Sequence, residues 1–308
     1  MKKTTLKKLV LAAFAAVTVI ALAGCGASAS SSTVKIGIPD DSTNGGRAIK
    51  LLEEAGLIEV DPNAGYTPEV KDITKYLYNV EIVPSAANTL PSTLDDFGAA
   101  AVNGTYAIPA GLTPSKDALI TESQNSDSGE NPYVNVVVAR SSEANNATYK
   151  TIVNALQTQT VAKYIVGKYQ EAYIPAFDYD ESDVADDAFI KEIDSYSSSS
   201  DGKTVVKVGV CGSSNDYWKA VQKVLDEQNA GIYIELVTFD AYTLPNEALN
   251  SGEIDLNSFQ HKAYLANEVS SIGYDITAIG DTIMAPLSLY SHAYDSIDAI
   301  KEAAGQAA

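Results

Sequence analysis

The residues best suited to chemistry fall into two groups far apart in the chain. Thr43-Asn44-Gly45-Gly46-Arg47 stands at the start of an apolar-periodic segment. A helix beginning there exposes unpaired backbone N–H groups and a partial positive charge. Glycine lets a ligand approach the backbone closely, and Arg47 adds a planar fork suited to a carboxylate. An ordinary turn and cap with a surface arginine would read the same way. The second group is SFQHKAYL, residues 258–265. Phe259, His261 and Tyr264 are rings within six positions; lining one pocket, they make an apolar slot with a polar rim. Such a slot suits a thioether, whose sulfur packs on ring edges. A satisfied core or surface cluster is the alternative. Asn103 closes the apolar run AAAVN and Asn135 interrupts PYVNVVV. A buried amide needs partners, which a ligand or the nearby backbone can supply.

Other chemistries fare poorly. A Ser-His-Asp triad would have to use His261 or His292, and no Gly-x-Ser-x-Gly elbow occurs. GVCGSS, residues 209–214, lacks the phosphate-loop lysine and the dinucleotide glycine spacing. Two cysteines and two histidines do not make a structural zinc site. Carboxylates are plentiful, but in a chain this acidic they read as solvated surface. No enzyme and no cofactor is expected.

The elements that must position these groups are legible as periodicity. Residues 33–38 (TVKIGI) read as a strand, and Ala48, Leu51, Leu52 and Ala55 as one face of a helix ended by Gly56. Residues 80–83, 99–102 and 133–138 read as strands, and 147–171 as two short helices. Residues 205–210, 214–229 and 232–237 form a strand–helix–strand unit, with Trp218, Val221 and Leu225 inward, which implies parallel pairing. Strands at 255–257, 275–279 and 286–290 continue the series. Helices alternating with apolar strands on both sides of residues 178–203 argue for two α/β lobes. That central stretch is acidic, then Ser-rich, and reads as a linker with at most one short helix.

The N-terminus carries four lysines and then an apolar run over residues 9–24, too short for a span of about 20 residues. This is a signal-peptide layout for residues 1–24. Leu22-Ala23-Gly24-Cys25 reads as a lipobox, so Cys25 is the expected lipidation site and residues 25–32 a flexible tether. Cys211 is then left without a partner and reads as a small buried apolar residue. The net charge of −19 grows more negative once the leader lysines are removed, which argues against nucleic acid as a partner.

Two blocks of this chain resemble the NlpA-type methionine-binding lipoproteins. Residues 35–177 carry PDDSTNGGRA, PSTLDDFGAAAVNGTYA, GLTPSKDAL and NPYVNVVV; residues 205–300 carry LPNEAL, FQHKAYL and LYS. In that family the second block comes first, so the resemblance implies a circularly permuted order. It implies a type II periplasmic-binding-protein-like fold, two α/β lobes with a ligand cleft between them. Residues 33–110 with 293–308 would form one lobe, and 111–177 with 204–292 the other. The resemblance further implies that Arg47 meets the carboxylate of L-methionine or a close analogue. Asn44, Asn103 and Asn135 would hold its charged ends, and Tyr242, Phe259, His261 and Tyr264 would surround its side chain. The implied partners are an ABC transporter permease with its ATPase, and a membrane reached through the lipid on Cys25. The implied location is the outer face of the cytoplasmic membrane. A surface lipoprotein that has lost uptake, or a rearranged product that does not fold, are the alternatives. Two departures stand out: Cys211-Gly212 in place of the family's usual residues, and the extra glycine before Arg47.

Overall fold

The computed structural model describes residues 32–123 and 131–307. The leader and Cys25 lie outside them. In chain order, β1 (Val34–Pro39), α1 (Ser42–Glu54), the antiparallel pair β2 (Ile58–Val60) and β3 (Ile73–Tyr76), β4 (Val80–Ser85) and β5 (Ala99–Asn103) come first. The short helices α2 (Gly104–Ala107) and α3 (Pro114–Asp117) lead to β6 (Ala118–Thr121) and β7 (Val134–Arg140). Next are α4 (Ala147–Leu156), α5 (Gln159–Tyr169), β8 (Ile174–Pro175) and α6 (Asp187–Asp194). The last part holds β9 (Thr204–Cys211), α7 (Tyr217–Glu227), β10 (Ile232–Phe239), α8 (Pro245–Ser251) and β11 (Leu256–Asn257). It closes with α9 (Lys262–Ile272), β12 (Ile276–Met284), β13 (Leu287–Tyr290) and α10 (Ile297–Ala304).

Two mixed sheets share one plan. In the first, β4, β1 and β5 are parallel, β13 lies antiparallel beside β5, and β6 is outermost. In the second, β10, β9 and β11 are parallel, β7 lies antiparallel beside β11, and β12 and β8 follow. The fourth strand of each sheet is chain that has just left the other sheet: β7 follows β6, and β13 follows β12. The chain therefore crosses between lobes twice. This is the expected two-lobed α/β architecture of the type II periplasmic-binding class.

Burial explains why these segments take these forms. Ala48, Leu51, Leu52 and Ala55 all face the first sheet, packing on Ile36, Ile38, Ala99 and Leu289. Trp218, Val221 and Leu225 of α7 pack on the second sheet against Val206, Val208 and Leu256. Each fully buried Leu, Ile or Val among them is worth about 1.5–3 kcal/mol. Cys211 is buried and unbridged, and burial pushes its thiol up. No helix among the described residues is long and apolar enough to cross a membrane.

Two expectations need correction. The lobe boundaries at 110 and 293 do not follow the sheets, because β6 and β13 both belong to the first sheet. Neighbours in sequence suggested otherwise; hydrogen-bonding across the crossover decides it. Residues 178–203 are also more than a linker. Within α6, Ile193 is fully buried in the second lobe's core, with Phe189 and Ile190 packed against it. Tyr164 donates its hydroxyl to Asp194, and Lys168 pairs with the same carboxylate at 2.7 Å. Beyond it, Asp226 accepts from Tyr196, Ser198 and Lys203. Three apolar residues at helical spacing were hidden by an acidic average composition.

The two chain ends of the described region lie together. Ser32 N donates to Ala303 O at 3.3 Å, Asn79 N to Gly305 O at 3.0 Å, and Ala307 N to Leu77 O at 3.2 Å.

Candidate functional site

The first turn of α1 builds one wall of the cleft. Asp41 caps the helix, accepting from Asn44 N at 2.8 Å and from Asn44 Nδ2 at 3.0 and 3.1 Å. That clamp turns the amide so that Asn44 Oδ1 faces inward. Asn44 Oδ1 accepts from Asn103 Nδ2 at 2.8 Å, at the end of β5, and from Arg47 Nη1 at 3.1 Å. It is also 3.3 Å from His261 Nε2, which comes from the other lobe. His261 caps α9, its Nδ1 accepting from Tyr264 N at 3.1 Å. An accepting Nδ1 leaves the proton on Nε2, so the imidazole donates to Asn44. Burial first, and then the Arg47 charge, hold this imidazole well below its ordinary value, so it is neutral.

Arg47 is 3% exposed. Its fork meets Glu122: Nε donates to Oε2 at 3.1 Å and Nη2 to Oε1 more closely. Nη2 also donates to Ala285 O at 3.2 Å, and the guanidinium lies 4.6 Å from the Tyr133 ring centroid. Burial works against the charge, but attraction and hydrogen bonding to Glu122 outweigh it and raise the group above its ordinary value. Glu122 and Ala285 sit on the two crossings between lobes, so one guanidinium ties both.

The opposite wall is aromatic. Tyr242, Phe259 and Tyr264 stand mutually 5.9–6.2 Å apart between centroids, and His261 is 6.3 Å from Tyr264. Tyr106 of the first lobe reaches across to Tyr242 at 4.9 Å and donates its hydroxyl to Asp240 O at 3.2 Å. Asn135, on β7, forms a bridge with the backbone of His261. Burial pushes the Tyr242 and Tyr264 phenols up, so both are neutral donors.

All eight residues singled out in the sequence, Asn44, Arg47, Asn103, Asn135, Tyr242, Phe259, His261 and Tyr264, line one cavity. Gly104, Thr105, Gln260 and Ala285 complete its lining. One polar atom stands out: Asn103 Oδ1 is buried and accepts no hydrogen bond. A buried acceptor left bare costs about 1–3 kcal/mol, a cost that a donor reaching this cavity-lining side chain would relieve. The chemistry on offer is an acceptor for a cationic or N–H group, a guanidinium N–H for an anionic one, and rings for an apolar chain. Sequence reasoning missed Glu122 and Tyr133. Tyr133 was visible beside Asn135 but carried no signal of its own; Glu122 is one acid among 40 Asp and Glu, 75 residues from its partner. Among the described residues no group of three or more His, Cys, Asp or Glu is arranged to hold a metal.

A protein-family model described as NlpA lipoprotein matches residues 30–177 and 206–306. A probable D-methionine-binding lipoprotein MetQ from Vibrio cholerae is 37% identical over 129 residues, 42% of this chain and 46% of the relative. Outer membrane lipoprotein 3 of Mannheimia haemolytica is 39% identical over 126 residues, 41% of this chain and 46% of the relative. The match thus spans a little under half the length of these curated relatives. Among solved structures, a nutrient-binding protein from Burkholderia cenocepacia bound to methionine is 36% identical, with a TM-score of 0.29 over 30% of this chain and 40% of its own. A putative lipoprotein from Ruminococcus gnavus is 29% identical, with a TM-score of 0.39 over 45% of this chain and 57% of its own.

Proposed function

The chain belongs to the NlpA lipoprotein family, and on that premise we propose that it is an extracytoplasmic receptor for L-methionine or a close analogue. It is a binding protein and not an enzyme. Lipid on Cys25 tethers it to the outer face of the cytoplasmic membrane, and the closed receptor delivers its ligand to an ABC importer. The observation that carries the reading is the bare Asn103 Oδ1, in a cavity that also holds Arg47 and a ring slot. The ammonium donates to Asn103 Oδ1, the carboxylate meets Arg47 Nη1, and the thioether lies among Tyr242, Phe259 and Tyr264. Asn44 and Asn135 orient the charged ends, and His261 closes the site from the second lobe. A ligand touching both walls favours the closed state through contacts that the open state lacks.

Calorimetry and thermal melting of the chain lacking residues 1–25 test this. Methionine at about a thousand times its Kd stabilises the folded state by about 4 kcal/mol and raises Tm by several degrees. Folded protein that gives neither heat nor shift with L-methionine, its D-isomer or its sulfoxide overturns the reading.

We also take the halves to be circularly permuted relative to the family. Each half builds three parallel strands of its own sheet and places a strand beside them in the other, β7 from the first half (with the short β8 further out) and β13 from the second, so the plan offers two comparable cutting points. The adjacency of Ser32 and Ala303 supports a cut at one of them. A chain re-cut in the exposed turn at Asp201-Gly202, to run from residue 202 to 307, on into 32 and ending at 201, keeps α6 and its core contacts and is expected to bind with unchanged affinity. A re-cut chain that stays unfolded while the original folds refutes the permutation.

A further inference from the structure

We infer that Glu122 sets the charge specificity of the cavity, an inference that rests on the amino-acid-receptor reading above and deepens it. Arg47 has five N–H bonds, and most of them are already engaged. Nε and Nη2 point at the two oxygens of Glu122, Nη2 also donates to Ala285 O, and Nη1 donates to Asn44 Oδ1. Four of the five are thereby committed, and one Nη1–H is left for a ligand. The fork that would seize a carboxylate with two parallel bonds is occupied by a carboxylate of the protein itself.

The charge follows the hydrogen bonds. Among the described residues, Arg47 is the one Lys or Arg lining the cavity, and no Asp or Glu lines it. Its positive charge is matched at contact distance by Glu122, whose side chain is only 13% exposed. His261 adds nothing, because it is neutral with its proton on Nε2. The cavity lining therefore carries no unpaired charge before any ligand enters. A buried cavity whose one lining charge is already paired favours a ligand with no net charge: an α-amino acid zwitterion, with the ammonium on the bare Asn103 Oδ1 and the carboxylate on the remaining Nη1–H. A simple anion brings an uncompensated charge into a space where the one cation is already paired. Without Glu122 the same cavity would hold a free guanidinium with an open fork, and anions would be the better ligands. Glu122 does not line the cavity, so it acts through Arg47 as a positioning and charge-matching residue.

The test compares methionine with its 2-hydroxy analogue, 2-hydroxy-4-(methylthio)butanoate. The analogue keeps the thioether, the carboxylate and a donor for Asn103, and differs chiefly in carrying a net negative charge. Isothermal calorimetry of the wild-type chain lacking residues 1–25 is expected to favour methionine by about 100-fold, the size expected for one desolvated charge. In Glu122→Gln the ratio is expected to fall about tenfold or more, chiefly because the analogue binds more tightly. The readout is a ratio within one variant, so loss of part of the sample to unfolding cancels. If Glu122→Gln does not fold, the wild type still decides. Methionine should outbind both the anionic hydroxy acid and the cationic methioninamide, and equal binding of the hydroxy acid overturns the proposal. A wild type that binds methionine, with the ratio unchanged in Glu122→Gln, refutes the role of Glu122 while leaving the receptor reading intact. A folded wild type that binds none of the three refutes both.

Discussion

Arg47→Ala is expected to abolish methionine binding, with an affinity loss of at least about 100-fold. A hydrogen bond to a charged group is worth about 1.5–3 kcal/mol, and the ligand carboxylate would also lose the cation it faces in a buried cavity. Stability should fall with it. Arg47 is 3% exposed, and removing it leaves the Glu122 carboxylate without its partner and unties Ala285 O. Breaking a buried pair from one side costs about 3–5 kcal/mol. The two losses separate in the double variant Arg47→Ala/Glu122→Ala. Removing both charges restores much of the melting temperature but none of the methionine-induced shift. A double variant that regains binding would show that the guanidinium serves the fold and not the ligand.

Gly212→Ala should cost affinity without touching the ligand. Gly212 follows β9 at φ +66°, on the second lobe, and a Cβ there would stand 2.8 Å from Thr105 O and 3.1 Å from Thr105 Cγ2 of the first lobe. Such an atom holds the lobes apart where Gly104 and Thr105 line the cavity. Two costs are mixed in this substitution, the left-handed backbone and the blocked approach. Gly231 has φ +65°, and a Cβ added there would meet nothing within 4 Å, so Gly231→Ala isolates the first cost. Both variants should lose about 1 kcal/mol of stability, since alanine is strained at positive φ. Only Gly212→Ala should weaken methionine, by about tenfold or more, because closure is where the second wall's contacts are gained. Small-angle scattering should show less ligand-induced compaction in that variant alone. Equal methionine affinities for the two variants would sink the closure argument.

The departure Cys211-Gly212 thereby has a physical reading: the glycine permits the approach of Thr105, and the buried thiol contacts Ala241 O at 3.8 Å. The extra glycine before Arg47 has one too. A Cβ on Gly46 would meet the Thr67 backbone at 2.7 Å, so the segment between β2 and β3 lies directly on the first turn of α1. Gly45 is likewise pressed against Pro39 O, at 2.8 Å from a Cβ. In a sequence these glycines signal only a tight place; which strand or loop does the crowding is a property of the folded chain.

Local order was written in side-chain periodicity. The apolar face of α1, the inward Trp218 of α7 and the β-branched strands β1 and β9 were legible because burial acts on residues a turn or a pleat apart. The types of the eight cavity residues were legible as well, since an arginine after glycines, paired amides and a ring cluster name their own chemistry. Partnerships between distant segments were not. β6 and β13 join the first sheet only because two crossovers hand strands from lobe to lobe, and nothing in ALIT or LSLY says which neighbour will accept their hydrogen bonds. The α6 contacts that anchor residues 187–194 vanish in an acidic average. Glu122 looks like any surface acid until the fold sets it against a guanidinium 75 residues away, and that pairing decides what charge the cavity will take. Sequence alone determined the elements and the chemical groups; tertiary structure decided who meets whom, because Coulomb and hydrogen-bond energies depend on distance in space and not on separation along the chain.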